Sequence, residues 1–215
     1  MSKVEKLNII LESGVIAIMR TKSSDQLIAA ADAIKAGGVS VIEVTMTTPG
    51  ALAIIAEARR RYGPEMLFGA GTVLDAETAR SAILAGADFV VAPTLNLEMV
   101  ELCHRYGVPV VPGCYTPTEL LTAWQAGADL LKLFPASVGG PELIKAILAP
   151  LPQLAIVPVG GVDLTTAADF IRSGAAALGV GNSLINQKLL DSGDLGELTR
   201  RAAAFIEEVR KGRAK

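Results

Sequence analysis

Lys132 lies inside an apolar run, Leu130-Leu131-Lys132-Leu133-Phe134-Pro135, where a lysine is out of place. The run reads as a short strand buried on both faces, bounded by the Gly127 turn before it and Pro135 after it. Lysine is almost never buried without a partner. Desolvation disfavours the ammonium, so the pKa falls and the amine becomes a nucleophile suited to imine formation with a carbonyl substrate. The other reading of the run is a lysine whose stem packs while its head reaches water. Glu43 raises the same question, since it interrupts the apolar residues Val41, Ile42 and Val44. Successive side chains of a strand face opposite sides, so alternation decides whether Glu43 and Lys132 share one interior. If they do, they form either a structural ion pair or an amine beside a group that moves protons. Paired perturbed groups concentrate at functional sites.

Two glycine-rich segments follow, Gly160-Gly161-Val162-Asp163 and Gly179-Val180-Gly181-Asn182-Ser183. Glycine lets backbone N–H groups approach an oxyanion closely, and the Ser183 hydroxyl adds a donor. Other chemistry-bearing residues offer less. His104 is the only histidine, on a predicted helix before Arg105-Tyr106-Gly107, and completes neither a triad nor a metal cluster. Cys103 and Cys114 have neither metal spacing nor a disulfide framework; Cys114, after the fifth strand, is expected to line a site at most. Trp124 stands at helical spacing from Leu120 and Leu121 and is expected to pack. Arg59-Arg60-Arg61 reads as a solvated helix end.

The elements that must position these residues recur. A small residue and glycine end a helix-like segment, and an apolar run follows. The pattern occurs at Ala36-Gly37-Gly38, Ala85-Gly86-Ala87, Tyr106-Gly107, Ala126-Gly127-Ala128 and Ser173-Gly174-Ala175. Glycine suits the left-handed position that ends a helix. Successive units are spaced by roughly twenty to twenty-six residues, the period of a β/α repeat. With Val15–Met19, Leu67–Ala70 and Ile156–Val159, eight apolar strands are predicted. Ser24 and Asp25 are expected to cap the segment Gln26–Ala36, Asp75 the segment Ala76–Ala85, and Thr116-Pro117-Thr118-Glu119 reads as a capped start. Val4–Glu12 is expected to form an extra N-terminal helix. Leu195–Arg210 reads as a long amphipathic helix outside the barrel, and Arg210–Lys215 as a frayed basic end.

The expectation is therefore a single α/β domain over residues 1–215, a (β/α)8 TIM barrel with an additional N-terminal helix. Such barrels typically run to about 250 residues, so the loops here are short. An open doubly wound sheet fits less well, because Gly69-Ala70-Gly71 is not followed by the rest of a dinucleotide fingerprint. Catalytic groups of a barrel sit at the C-terminal ends of strands. Those ends carry Arg20, Glu43 with Thr45 and Thr47, Gly71-Thr72, Pro93, Pro112-Gly113, Lys132, Gly160-Gly161 and Gly181-Asn182-Ser183. Phosphate commonly binds after the seventh and eighth strands, where the two glycine segments fall.

Composition bounds the rest. Hydrophobic residues make up 51% of the 215 and aromatics 4%, so aliphatic side chains fill a large core. A net charge of −2 gives no electrostatic reason to expect nucleic acid or an anionic membrane as partner. No apolar stretch approaches membrane-spanning length, and the first residues, Met1-Ser2-Lys3-Val4-Glu5-Lys6, do not read as a signal peptide. A cytoplasmic protein is expected.

Together these residues resemble the KDPG/KHG aldolase family, class I aldolases acting on 2-keto-3-deoxy-6-phosphogluconate and 4-hydroxy-2-oxoglutarate. The resemblance covers nearly the whole chain. It rests on Ile42-Glu43-Val44-Thr45, Gly69-Ala70-Gly71-Thr72-Val73-Leu74, Leu131-Lys132-Leu133-Phe134-Pro135, Val159-Gly160-Gly161-Val162 and Gly179-Val180-Gly181-Asn182-Ser183. It implies that Lys132 forms the Schiff base and Glu43 handles protons. It also implies that Arg20 and Thr72 contact substrate, with Pro93 and Phe134 beside them, and that Gly160, Gly161, Gly181, Asn182 and Ser183 surround a phosphate. A homotrimer is implied, and neither a metal nor an organic cofactor.

Two departures bear on the substrate. Some members carry a carboxylate-binding arginine four residues after the glutamate, where this chain has Thr47. Carboxylate binding then falls to Thr72, backbone N–H groups, Thr47 or Arg20. Many members have Thr-Gly-Gly where this chain has Val159-Gly160-Gly161, and the valine resembles the related 2-keto-3-deoxy-6-phosphogalactonate aldolases. Two other classes stay open on the residues alone: a phosphate-binding isomerase barrel that needs no imine, and a non-catalytic assembly module on the same fold.

Overall fold

The computed structural model describes residues 1–214, as strands and helices in alternation. The strands are β1 (Val15–Met19), β2 (Val41–Thr45), β3 (Leu67–Gly71), β4 (Val90–Val91), β5 (Val110–Val111), β6 (Gly113–Cys114), β7 (Leu131–Leu133), β8 (Ile156–Pro158) and β9 (Leu178–Val180). Every pairing between them is parallel, in the order β5-β4-β3-β2-β1-β9 and β6-β7-β8. β5 and β6 are two halves of one barrel strand. Pro112, which lacks an N–H, separates them, yet its carbonyl accepts from Lys132 N–H at 3.0 Å. A bridge between Val159 and Gly179 joins β8 to β9, so the two arcs close into one eight-stranded barrel. The predicted runs 89–92 and 108–111 are shorter as strands than expected, because only two residues of each keep ladder pairing.

The helices are α1 (Lys3–Ser13), α2 (Ser24–Ala36), α3 (Ala51–Tyr62), α4 (Ala76–Leu84), α5 (Leu97–Arg105), α6 (Pro117–Gln125), α7 (Gly140–Leu148), α8 (Ala167–Arg172), α9 (Gln187–Ser192) and α10 (Leu195–Arg213). Thr116 and Glu119 form a capping box on α6, and Asp75 caps α4 through the Thr78 N–H. The cap of α2 is Ser23, one residue earlier than expected, accepting from the Gln26 N–H. No helix among the described residues is long and apolar enough to cross a membrane.

Two cores follow from strand alternation. Ala17, Ile42, Val44, Phe68, Leu131, Leu133 and Leu178 point outward against the helices. Ile16, Ile18, Val41, Leu67, Phe89, Val91, Val111, Leu130 and Val157 point inward, and Ile10 of α1 joins them as a plug beneath the barrel. Two ion pairs hold that plug. Lys6 meets Asp88 at 3.1 Å and Lys3 meets Asp129 at 2.9 Å. Each aspartate also accepts a backbone N–H from the preceding barrel strand, Asp88 from Phe68 and Asp129 from Val110.

Three expectations need correction. As far as it is described the basic tail is not frayed, and the expectation for Lys215 lies outside the described residues. α10 continues to Arg213, where the guanidinium donates to the Glu12 and Leu11 carbonyls, and Gly212 packs against Ile171 with no room for a side chain. Arg59 is not a freely solvated helix end, since it reaches the buried Asp88 at 3.5 Å. Trp124 is 42% exposed and lies outside the core, because α6 turns that side of its surface to solvent.

Candidate active site

Alternation brings Lys132 and Glu43 into the barrel interior together. The neighbours Leu131 and Leu133 belong to the outer core and Leu130 to the inner one, so Lys132 points inward. Val41 and Glu43 share the inward face of β2 in the same way. Both open onto one cavity of about 400 Å³ at the C-terminal ends of the strands. Its walls carry Arg20, Thr72, Pro93, Phe134, Val159, Gly160, Gly161, Gly181, Asn182 and Ser183, every predicted site residue but one. The exception is Thr47, which is exposed beyond the lining, its hydroxyl 3.0 Å from that of Thr45. Cys114 stays out of the cavity as well. It is buried on the outer face of the barrel, where burial pushes its thiol up to about 12.

The electrostatics follow from burial. Glu43 is 2% exposed and Lys132 6%. Desolvation is the largest influence on each. It pushes the Glu43 carboxyl above its ordinary pKa, against the pull of the Lys132 and Arg20 charges. It pushes the Lys132 amine below its ordinary pKa; Glu43 opposes that shift and Arg20 adds to it. The Lys132 Nζ also sits 5.1 Å from the centroid of the Phe134 ring. A desolvated amine and a desolvated carboxyl thus open onto one small cavity.

Thr72 is the one described non-glycine residue in the left-handed region, at φ 58°. The ladder beside it explains why. Ala70 N–H donates to the Phe89 carbonyl, and a regular parallel strand would next use Thr72. Instead Val73 N–H takes the Val91 carbonyl at 3.1 Å. The extra residue forms a bulge that turns Thr72 toward the cavity. Strain held in this way gathers at ligand sites.

The glycine turns form the opposite wall. Gly160 and Gly161 are both left-handed, at φ 85° and 79°. A Cβ on Gly161 would lie 2.5 Å from that of Ser137. Among the described residues, the N–H groups of Gly161, Asn182 and Ser183 find no acceptor within the chain. These are free donors at the place where a barrel binds phosphate. Val162 and Gly179, which stand inside the two glycine segments but were given no role of their own, also line the cavity, as does Ile18, which was not singled out in the sequence. For Ile18 a signal existed, since alternation on β1 puts it on the same side as Arg20.

The model of the KDPG and KHG aldolase family matches residues 7–201. The 2-dehydro-3-deoxy-6-phosphogalactonate aldolase of Escherichia coli K12 is 36% identical over 92% of this chain and 95% of its own. The 2-dehydro-3-deoxy-phosphogluconate aldolase of Haemophilus influenzae is 33% identical over 96% of each. Among solved structures, a KDPG aldolase from Legionella pneumophila, with pyruvate captured as a covalent carbinolamine, superposes with a TM-score of 0.86. It is 27% identical, over 93% of this chain and 97% of that one.

Proposed function

We propose that this chain, which belongs to the KDPG and KHG aldolase family and is a class I aldolase, cleaves 2-keto-3-deoxy-6-phosphogluconate to pyruvate and glyceraldehyde 3-phosphate. The observation that carries the reading is the inward, desolvated amine of Lys132 beside Glu43. In its neutral form the amine attacks the C2 ketone. Glu43, directly or through a water, moves the protons that turn the carbinolamine into an imine. The C4 hydroxyl proton passes to Glu43 or its water as the C3–C4 bond breaks. The bonding electrons move into the protonated imine and leave an enamine, and glyceraldehyde 3-phosphate departs. Protonation at C3 and hydrolysis then free pyruvate and restore the amine.

The other groups follow the charge of the substrate. The N–H groups of Gly161, Asn182 and Ser183, with Gly160 and Gly181 keeping that wall open, hold the phosphate. Thr72 takes the carboxylate, Arg20 adds its positive charge at the mouth, and Phe134 and Pro93 pack the pyruvyl carbons. The short acid 4-hydroxy-2-oxoglutarate fits the same imine chemistry and leaves the phosphate wall unused.

One observation favours a second reading. Val159 offers only methyl groups to the cavity. The gluconate and galactonate substrates differ in configuration at the C4 hydroxyl, and a wall without a donor there does not select the gluconate epimer. On this reading 2-keto-3-deoxy-6-phosphogalactonate is cleaved instead, or as well. Pyruvate release from each epimer and from hydroxyoxoglutarate, followed by a coupled reductase, tests the assignment. We expect the two phosphorylated acids to exceed hydroxyoxoglutarate in kcat/KM. Release from neither phosphorylated epimer contradicts it.

We further propose that the enzyme works as a homotrimer in the cytoplasm, where charged phosphorylated acids are retained. Leu74, Tyr115 and Val138 on the loops, and Leu97 at the first position of α5, are exposed beyond four consecutive barrel strands, an apolar rim suited to a second copy. Light scattering of purified protein reads the mass directly, and a monomer at micromolar concentration contradicts the trimer.

A further inference from the structure

Four inward positions of the barrel are glycine: Gly69, Gly71, Gly113 and Gly179. They are not alike. A Cβ on Gly69 would strike the Phe89 ring, and one on Gly113 would strike the backbone of Pro93 and Thr94. At Gly71 the three nearest atoms all belong to Glu43: a Cβ would overlap Oε1 and Cδ and lie 2.5 Å from Cγ. Gly71 is not among the residues of left-handed φ, so its backbone does not itself demand glycine. It pairs with Thr45, two residues beyond Glu43 on β2, so the carboxylate leans along its own strand and across the neighbouring one. Among the described residues, no hydrogen bond or ion pair from the chain fixes that carboxylate. Its placement follows from packing, within the field of the Lys132 and Arg20 charges.

We propose that Gly71 is the positioning residue for Glu43: its bare Cα is the platform on which the carboxylate lies at the distance and angle that proton transfer to the Lys132 adduct needs. The inference rests on the role given to Glu43 above. A methyl group at Gly71 would push the carboxylate off this platform, since the three atoms it would meet first all belong to Glu43.

A double-variant cycle tests it, with Gly71→Ala, Glu43→Ala and the pair compared with wild type. Three quantities are read: turnover, the yield of the pyruvate adduct on Lys132 trapped by borohydride, and the midpoint of thermal unfolding. Gly71→Ala is expected to lower kcat by roughly a hundredfold, the scale of a lost acid–base contribution. KM and the final adduct yield should change little. In the Glu43→Ala background the same substitution should alter neither turnover nor midpoint, because the methyl then enters vacated space. Wild-type turnover in Gly71→Ala overturns the inference. So does an equal loss of midpoint in both backgrounds, which marks a packing role independent of Glu43. If Gly71→Ala does not fold, the double variant decides: folding like Glu43→Ala supports the inference, and failure to fold overturns it. Absence of any adduct in wild type is a separate outcome that removes the imine reading itself.

Discussion

The Lys132 amine and the Glu43 carboxyl line one cavity without a direct ion pair among the described residues. Each is buried, and each is shifted toward its neutral form chiefly by desolvation. A structural salt bridge would close the pair and fix both charges. An open pair leaves the amine free to attack and the carboxyl free to exchange protons, as imine chemistry requires.

On the proposed mechanism, Arg20 tunes the nucleophile. Its charge lowers the Lys132 pKa, so Arg20→Met should let that pKa rise toward the ordinary lysine value. Trapping needs the neutral amine, so its rate rises as pH rises through the pKa of Lys132. The pH profile of pyruvate–borohydride trapping in Arg20→Met should therefore move to higher pH than that of wild type. An unmoved profile removes Arg20 from this role.

The site costs stability. Lys132 has a depressed pKa in the folded state, so its contribution is favourable at alkaline pH and is lost as pH falls through the folded value. Glu43 has a raised pKa, so its contribution is favourable at acid pH and is lost as pH rises through the folded value. At neutral pH the double substitution Lys132→Met with Glu43→Gln should stabilise the fold by about 1–4 kcal/mol, as for other buried charges replaced by neutral groups. Urea unfolding checks this, and a lower midpoint than wild type contradicts it.

On the proposed reading, the strain at Thr72 serves binding. Thr72→Gly removes the cost of a β-branched residue at φ 58° and should raise stability by about 1 kcal/mol after glycine's extra unfolded-state entropy. The same change removes the hydroxyl, so KM for the keto acid should rise. A destabilised variant with unchanged KM would assign Thr72 to packing.

Much of this was legible in the residues. Apolar runs at a regular spacing predicted eight strands and placed Glu43 and Lys132 on two of them, leaving open whether the two share one interior, which they do. Other features depend on contacts between distant segments. Nothing local to Thr72 announces a bulge, because the missing ladder bond belongs to Val91 on the next strand. Thr47 lies two residues past the Ile42-Glu43-Val44-Thr45 motif, in the turn after β2, where it is exposed with its hydroxyl 3.0 Å from that of Thr45, a placement set by the turn and not by the residue type. The clamp on α1 left a trace that was not read. Ala-Gly-Ala-Asp occurs twice, ending in Asp88 and Asp129, the two residues that hold Lys6 and Lys3. Interior glycines such as Gly71 read in sequence as weak strand residues, because what they make room for is on another strand.

That clamp carries stability. Asp88 is 1% exposed and serves Lys6, Arg59 and the Phe68 N–H at once. Asp88→Ala should cost about 3 kcal/mol, since partly buried cations and a buried N–H lose their partner. Denaturant unfolding measures it, and a cost within error of zero would show that the Asp88 cluster does not hold α1.

The central claim is that Lys132 is the imine-forming nucleophile. Incubation with pyruvate and borohydride, followed by digestion and peptide mass spectrometry, tests it most directly. The account predicts a reduced pyruvyl adduct on Lys132 and none in Lys132→Met. An adduct on another lysine, or no adduct from an enzyme that still cleaves its substrate, would contradict it.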